Sequence, residues 1–259
     1  MNPDFQVFPD RAALAAAAAA HILDVAGAAI DRGGICRVAL SGGQTPEPVY
    51  RLLVSARIDW YRVHLFWTDE RCVPPDHPES NYGMARRALL DHVPAPPGNV
   101  HRIHGEDPPA QAAADYERQL RDHFGAPLPR FDLILLGLGA DGHTASLFPN
   151  STALREHKRL VTPVQHPATG QWRVTLTLPS LNAAVSVAVL ASGADKAEAV
   201  RQTRSGSEPS LPLAQVHPAD GHLRWFVDRA ATGEEGGERR IGASGPPASE
   251  TSSKGAHGG

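Results

Sequence analysis

The chain is poor in cysteine. Its two thiols, Cys36 and Cys72, lie in different segments, so there is neither a disulfide framework nor a paired-cysteine metal spacing. They read as reduced thiols of a cytoplasmic protein. Excess charge of one sign is also lacking: the formal net charge is −3 over 259 residues, which offers no general surface for nucleic acid. The N-terminal stretch MNPDFQVFPD has no basic region and no apolar core of a signal peptide. The alanine run at 15–20 lies between Arg11 and His21, with Asp24 soon after, and is far too short to span a bilayer. No GxSxG elbow is present, so a covalent serine mechanism is not indicated. His101 and His104 form an HxxH pair without a third ligand, and His64 reads as a core or edge strand residue, so no metal site is expected.

What is present is a repeated alternation of short apolar runs with helix-forming segments. Asp10 caps a helix over 11–30 that is closed by Gly33 and Gly34. Four strand–loop–helix modules follow. Strand 35–40 leads through SGGQTP to a helix over 46–56, and strand 63–67 leads through TDERCVPPDHPESN to a helix over 82–92. After a helix over 110–124 comes strand 131–136, and strand 185–190 leads through ASGADK to a helix ending near 203. A late strand is expected at 223–227. This alternation predicts a mostly parallel sheet covered on both faces. WRVTLTL alternates like a half-exposed strand and predicts an antiparallel edge or small subdomain, whereas the polar stretch 150–170, with Pro163 and Pro167, carries no strand signal. No linker divides residues 1–231, which read as one domain. The tail 232–259 is rich in Gly, Ser and Glu and reads as disordered.

Four constellations carry candidate chemistry. Ser41-Gly42-Gly43-Gln44-Thr45-Pro46 links a strand to a helix, with Thr45 as the expected N-cap and Pro46 at the first helical position. Its backbone N–H groups and helix dipole favour a phosphate, the alternative being an ordinary turn. Asp69-Glu70-Arg71 follows the strand VHLFW; the triplet either faces a ligand at the sheet's edge or forms a solvated turn. Arg71 suits bidentate phosphate binding, and Asn81 is a candidate cap for the next helix. In the loop GLGADGH, which also holds Gly139, Asp141 and His143 sit on either side of Gly142. An imidazole there can take a proton from water and return it, with Asp141 as its orienting acid or, alternatively, only a turn former. Arg173 and Lys196 are further cations able to close on a phosphate or to remain on the surface. Gly137, Gly139 and Gly142 also spell GxGxxG, but Pro149 stops any helix within two turns, against a dinucleotide site.

LSGGQTP, WTDER, SNYGMA, LLGLGADGHTASLFP, RVTLTLP and ASGADKAEAV, in this order, resemble the 6-phosphogluconolactonase family over roughly residues 5–230. The resemblance implies a three-layer α/β/α sandwich shared with glucosamine-6-phosphate deaminases and related to ribose-5-phosphate isomerases. It implies hydrolysis of 6-phospho-D-glucono-1,5-lactone in the oxidative pentose phosphate pathway, with no metal or organic cofactor. The expected partner is a small sugar-phosphate lactone, with no nucleic acid or membrane, and the protein is expected to act as a monomer or weak homo-oligomer. In this assignment the phosphate rests on Ser41, Gly42, Gly43 and Thr45 with Arg71, Arg173 and Lys196, while His143 is the base and Asp141 its orienting acid. Asp69, Glu70, Asn81, Gly139 and Gly142 complete the pocket, and backbone N–H groups of loop 139–144 are candidate oxyanion donors. The deaminase loop reads like GxDGHIAFNEP; here SLFP replaces FNEP, so the acid after the histidine is missing. A sugar-phosphate sensor with the cradle but no turnover is the remaining alternative.

Overall fold

A computed structural model describes residues 4–233. The chain opens with strand β1 (Asp4–Phe8) and helix α1 (Arg11–Gly33). There follow β2 (Cys36–Leu40), α2 (Pro46–Leu53), β3 (Val63–Trp67), β4 (Asp69–Arg71), α3 (Asn81–Ala88) and α4 (Pro109–Phe124). Next come β5 (Leu133–Gly137), β6 (Val161–Gln165), β7 (Trp172–Leu176) and α5 (Leu178–Asn182). The last elements are β8 (Ser186–Ala191), α6 (Ala197–Ser205), β9 (His222–Asp228) and α7 (Arg229–Thr232).

Six strands form a wholly parallel sheet in the order β1-β9-β8-β5-β2-β3. Its central strands are apolar throughout, as a sheet covered on both faces demands. β8 is buried along its whole length, and Leu133–Leu136 of β5 are fully inaccessible. α1 lies against β1, β2, β8, β9 and α2, while the end of α4 brings His123 and Phe124 against Phe66 of β3. α1 has the length and hydropathy of a membrane-crossing helix, yet its Leu14, Ala18, Ile22, Ala26 and Ala29 share one face that is buried in the core. Asp10 caps it by accepting the Ala13 N–H at 2.8 Å, and Gly34, at φ 81°, closes it.

The strand order fixes where a ligand can sit. From β2 the chain steps outward to β3, whereas β5, β8 and β9 build in the opposite direction. The loops after β2 and β5 therefore diverge and leave a crevice at the carboxyl ends of the strands. A second sheet, β4-β7-β6, is antiparallel and stands over that edge. WRVTLTL thus supplies the middle strand of a small antiparallel sheet, in keeping with the antiparallel edge or small subdomain expected of it. β6 falls in the stretch 150–170, read from sequence only as polar, with two prolines. Its Pro163 is tolerated because β6 is an edge strand, where a missing N–H breaks no central ladder.

Two further expectations shift. β1 had no predicted counterpart, because its pattern DFQVF is short and half exposed. The first residue of the expected tail 232–259 belongs to α7, which extends through Thr232, with Asp228 capping it and Gly233 in the left-handed region. The remainder, 234–259, lies outside the described residues.

Candidate active site

The crevice is lined by Arg11, Ser41–Pro46, Asp69, Arg71, Asn81, Gly137–Gly139, His143, Ala145, Arg173, Ser192, Asp195 and Lys196. It thus gathers residues that the sequence places in separate segments. Its volume is about 280 Å³, near the lower end of small-molecule sites (roughly 300 Å³). That size suits a compact polar metabolite.

One wall is the loop after β2. Thr45 has helical backbone angles and makes no capping hydrogen bond, so it is not the N-cap expected from sequence. The consequence matters more than the misplacement. No acceptor among the described residues takes the N–H groups of Gly42, Gly43, Gln44 or Thr45, and the Ser41 hydroxyl is buried without a partner. Only Ser41 of this arc is buried, while Gly43 and Gln44 are exposed; free N–H groups at the start of a helix favour an anion. Tyr50 fixes the arc from behind: its hydroxyl donates to the Ser41 carbonyl at 2.7 Å and accepts the Ser41 N–H at 3.1 Å. A side chain at Gly42 would collide with the Asn81 amide, so only glycine allows this approach.

The facing wall comes from the small sheet. Arg71 of β4 and Arg173 of β7 stand directly opposite each other in the ladder. Two like charges in such a pair repel. Neither has a carboxylate partner among the described residues; Arg71 donates one bond, to the Glu79 carbonyl at 2.5 Å. The Nε atoms of both are buried and unpartnered. Burial and the nearby Arg71 together lower the pKa of Arg173 from the usual arginine range. A dianion between them would relieve both costs. Lys196 lies on the same crevice, after a 3-10 turn, with its ammonium 2.8 Å from Asp195.

The three charges of Asp69-Glu70-Arg71 do not share a direction. They are part of a strand, so neighbours alternate faces. Asp69 and Arg71 face the crevice, while Glu70 turns away from it and is corrected here from pocket residue to support. Its buried carboxylate accepts the N–H groups of Arg71, Asn81 and Tyr82 at 2.7–2.8 Å and the Ser80 hydroxyl at 3.0 Å. Burial pushes its pKa up, against those hydrogen bonds. Ser80, not Asn81, is the N-cap of α3, accepting the Gly83 N–H at 2.9 Å. Asn81 instead reaches back to the Asp69 carbonyl at 2.9 Å. Asp69 is itself buried, and its carboxylate takes the Ser146 hydroxyl at 2.6 Å and weaker bonds from Thr68 and Asn81.

The loop after β5 supplies the imidazole. His143 Nδ1 lies 2.5 Å from Asp141 Oδ1, and the same oxygen accepts the His143 N–H at 3.1 Å. The bond to His143 holds the Asp141 carboxyl down at about 2, so it stays ionised. With its proton held on Nδ1, the ring keeps a lone pair on Nε2. Phe148 packs against the ring, with centroids 5.0 Å apart. A Cβ on Gly139 would overlap both the ring and the carboxylate, which is why glycine stands there. Gly142, at φ 81°, turns the loop behind the crevice, against Leu211. Ala145, on the crevice, is held at φ 48°, a strained position for a residue with a side chain. Within the loop the N–H groups of Gly139, Gly142 and His143 are already donated internally, which removes them from the candidate oxyanion donors. No helix follows, as Pro149 requires, so the GxGxxG match is not a dinucleotide turn.

Sequence reasoning missed Arg11, Gln44, Ser146, Ser192 and Asp195. Arg11 donates to Ser192 at 3.0 Å, and Ser192 to Asp228 at 2.5 Å, a chain joining residues far apart in sequence. Gln44, Ser146, Ser192 and Asp195 lie inside the motifs SGGQTP, HTASLFP and ASGADK, whereas Arg11 carried no such signal.

Sequence and fold both resemble those of known proteins. A profile of the glucosamine-6-phosphate isomerases/6-phosphogluconolactonase family matches residues 9–225. A 6-phosphogluconolactonase of Nostoc sp. is 42% identical over 240 residues, covering 90% of this chain and 99% of that protein. One from Rattus norvegicus is 44% identical over 199 residues, covering 74% and 77%. The solved 6-phosphogluconolactonase from Trypanosoma cruzi superposes with a TM-score of 0.80 at 29% identity, covering 89% of this chain and 96% of that one. A monomeric glucosamine-6-phosphate deaminase, 21% identical, shares the fold with a TM-score of 0.75 over 90% of this chain and all of its own. The chain belongs to the glucosamine-6-phosphate isomerase/6-phosphogluconolactonase family.

Proposed function

We propose that this chain hydrolyses 6-phospho-D-glucono-1,5-lactone to 6-phospho-D-gluconate, a step of the oxidative pentose phosphate pathway, without a metal ion in the reaction. The observation that carries the reading is a pair of opposed, unpaired arginines facing an arc of free N–H groups, with an acid-held imidazole on the same crevice. The relatives named 6-phosphogluconolactonase support the choice of substrate.

The phosphate of C6 rests on the Ser41–Thr45 arc between Arg71 and Arg173, with Lys196 at its margin. That anchor places the lactone carbonyl before His143. Nε2 takes a proton from water as the water oxygen bonds to C1. The tetrahedral oxyanion collapses, the bond from C1 to the ring oxygen breaks, and the Nε2 proton passes to that oxygen. Asp141 keeps the ring oriented and favours the transient imidazolium. The lactone is an activated ester, so a positioned base suffices without a covalent intermediate. Asp69, with both oxygens engaged by neighbouring donors, holds the crevice wall rather than moving protons. The deaminase reading finds no support in the loop, where Ser146, Leu147 and Phe148 stand in place of an acid. The same reading makes the chain a cytoplasmic enzyme, a monomer or weak homo-oligomer, acting on a diffusible substrate without nucleic acid or membrane.

The test compares the phosphorylated lactone with plain gluconolactone over their spontaneous rates. Strong acceleration of the first and little of the second is expected. Equal acceleration of both would defeat the phosphate anchor, and none of either would defeat the enzyme.

A further inference from the structure

At the amino-terminal half of the sheet, remote from the crevice, three imidazoles meet. His64 comes from β3, His101 from the segment just after Val100, and His123 from the end of α4. One ring nitrogen of each lies within 4.8 Å of the others, and His64 Nδ1 is 3.0 Å from His101 Nε2. No other group of three histidine, cysteine or acidic side chains comes this close among the described residues.

We propose that His64, His101 and His123 form a binding site for a borderline divalent transition metal such as Zn²⁺, which clamps β3, the His101 segment and α4 together. Imidazole nitrogen is a preferred ligand of this class of ion. A Zn–N bond of about 2.0–2.1 Å in a tetrahedral site spaces ligand nitrogens by roughly 3.3 Å, so the His64–His101 gap must open by only a few tenths of an ångström. The rings are held in place. Phe66 stacks on His101 at 4.3 Å and meets His123 edge-on, and the His101 N–H donates to the Leu65 carbonyl at 2.8 Å. None of the three has a carboxylate partner among the described residues. Three protein ligands leave a fourth position, and His101 and His123 open onto a cleft lined by Asp107, Asp115 and Asp122 together with Arg102, His104 and Arg118. The competing cation is Arg37, whose Nε donates to His123 Nε2 at 3.3 Å and which must swing aside when metal enters.

The inference stands apart from the lactone reading, and chelated protein should keep whatever activity it has. The experiment titrates metal-free protein with Zn²⁺ by calorimetry and repeats the titration with Co²⁺, whose visible spectrum reports four-coordination. Wild type and His104→Gln, a neighbour outside the cluster, should bind one equivalent tightly and melt at higher temperature with Zn²⁺. His64→Gln, His101→Gln and His123→Gln should each bind at least roughly tenfold more weakly and lose the Zn²⁺-dependent rise in Tm. Arg37→Gln should bind more tightly than wild type. Equal Zn²⁺ affinity in the cluster variants and wild type would overturn the site, as would the absence of any Zn²⁺ heat or Tm shift in wild type. Unchanged or weaker binding in Arg37→Gln would count against it. Should one cluster variant fail to fold, the other two and the wild-type Co²⁺ spectrum decide.

Discussion

The two ends of one parallel sheet use histidine and arginine in opposite ways. At the carboxyl end, His143 has a carboxylate beside it, and two arginines line the crevice, each with a buried Nε that finds no partner among the described residues. Towards the amino end, the side chains of His64, His101 and His123 have, among the described residues, one another, aromatic rings and Arg37 as partners. The first arrangement readies an imidazole to accept a proton and a cradle to accept an anion. The second keeps three imidazoles neutral and packs them. Partner and burial, not residue type, decide what a histidine does.

The comparison can be broken at either end. The largest effect should come from removing both guanidinium groups. Arg71→Ala with Arg173→Ala should lower kcat/KM for the phosphorylated lactone by roughly 10²- to 10⁴-fold, taking each charged contact at about 1.5–3 kcal/mol. Steady-state kinetics with unphosphorylated lactone should show almost no loss; a matching loss there would mean the arginines support the fold rather than the phosphate. Next is Gly139→Ala, whose added carbon displaces the imidazole and its acid. A misplacement of this kind costs kcat about a hundredfold, while the melting temperature should hardly move. Wild-type turnover in this variant would show that the imidazole's placement is not critical.

Beneath the crevice, Glu70→Ala leaves three backbone donors and Ser80 without their acceptor. It should cost about 3 kcal/mol of stability by urea denaturation. A change within error would mean that water replaces the carboxylate.

The smallest effect belongs to the other end. The folded-state pKa values of His101 and His123 lie below the ordinary 6.5, at about 4. The unfolded chain therefore binds more protons between these values, so stability is complete above about pH 6.5 and is lost as pH falls towards about 4. His101→Gln should flatten that part of the stability–pH curve. An unaltered slope would show that the cluster does not resist protonation.

Much of the fold was legible because the parallel strands are apolar runs bounded by glycine and proline. β3 was read to its bounds for this reason. β4 was not read as a strand, since three charges carry no apolar signal and its pairing with β7 is long-range. The loop motifs after β2 and β5 brought most of the crevice into view, because glycines and a capped histidine are local features. Glu70 was misjudged by treating a strand as a turn. The contact of Arg11 with Ser192 was invisible because it joins residues 181 positions apart. His123 was missed as a partner of His64 and His101 for the same reason: only the packing of α4 on β3 brings the rings together.

The most direct test of the account separates turnover from binding at His143. The lactone is generated in situ by glucose-6-phosphate dehydrogenase and its hydrolysis is followed with 6-phosphogluconate dehydrogenase, for wild type and His143→Ala. In parallel, 6-phosphogluconate binding is measured by calorimetry. The account predicts a fall in kcat of roughly 10²- to 10⁴-fold with binding retained. Near-normal turnover in His143→Ala, or a loss that appears only as weakened binding, would contradict it.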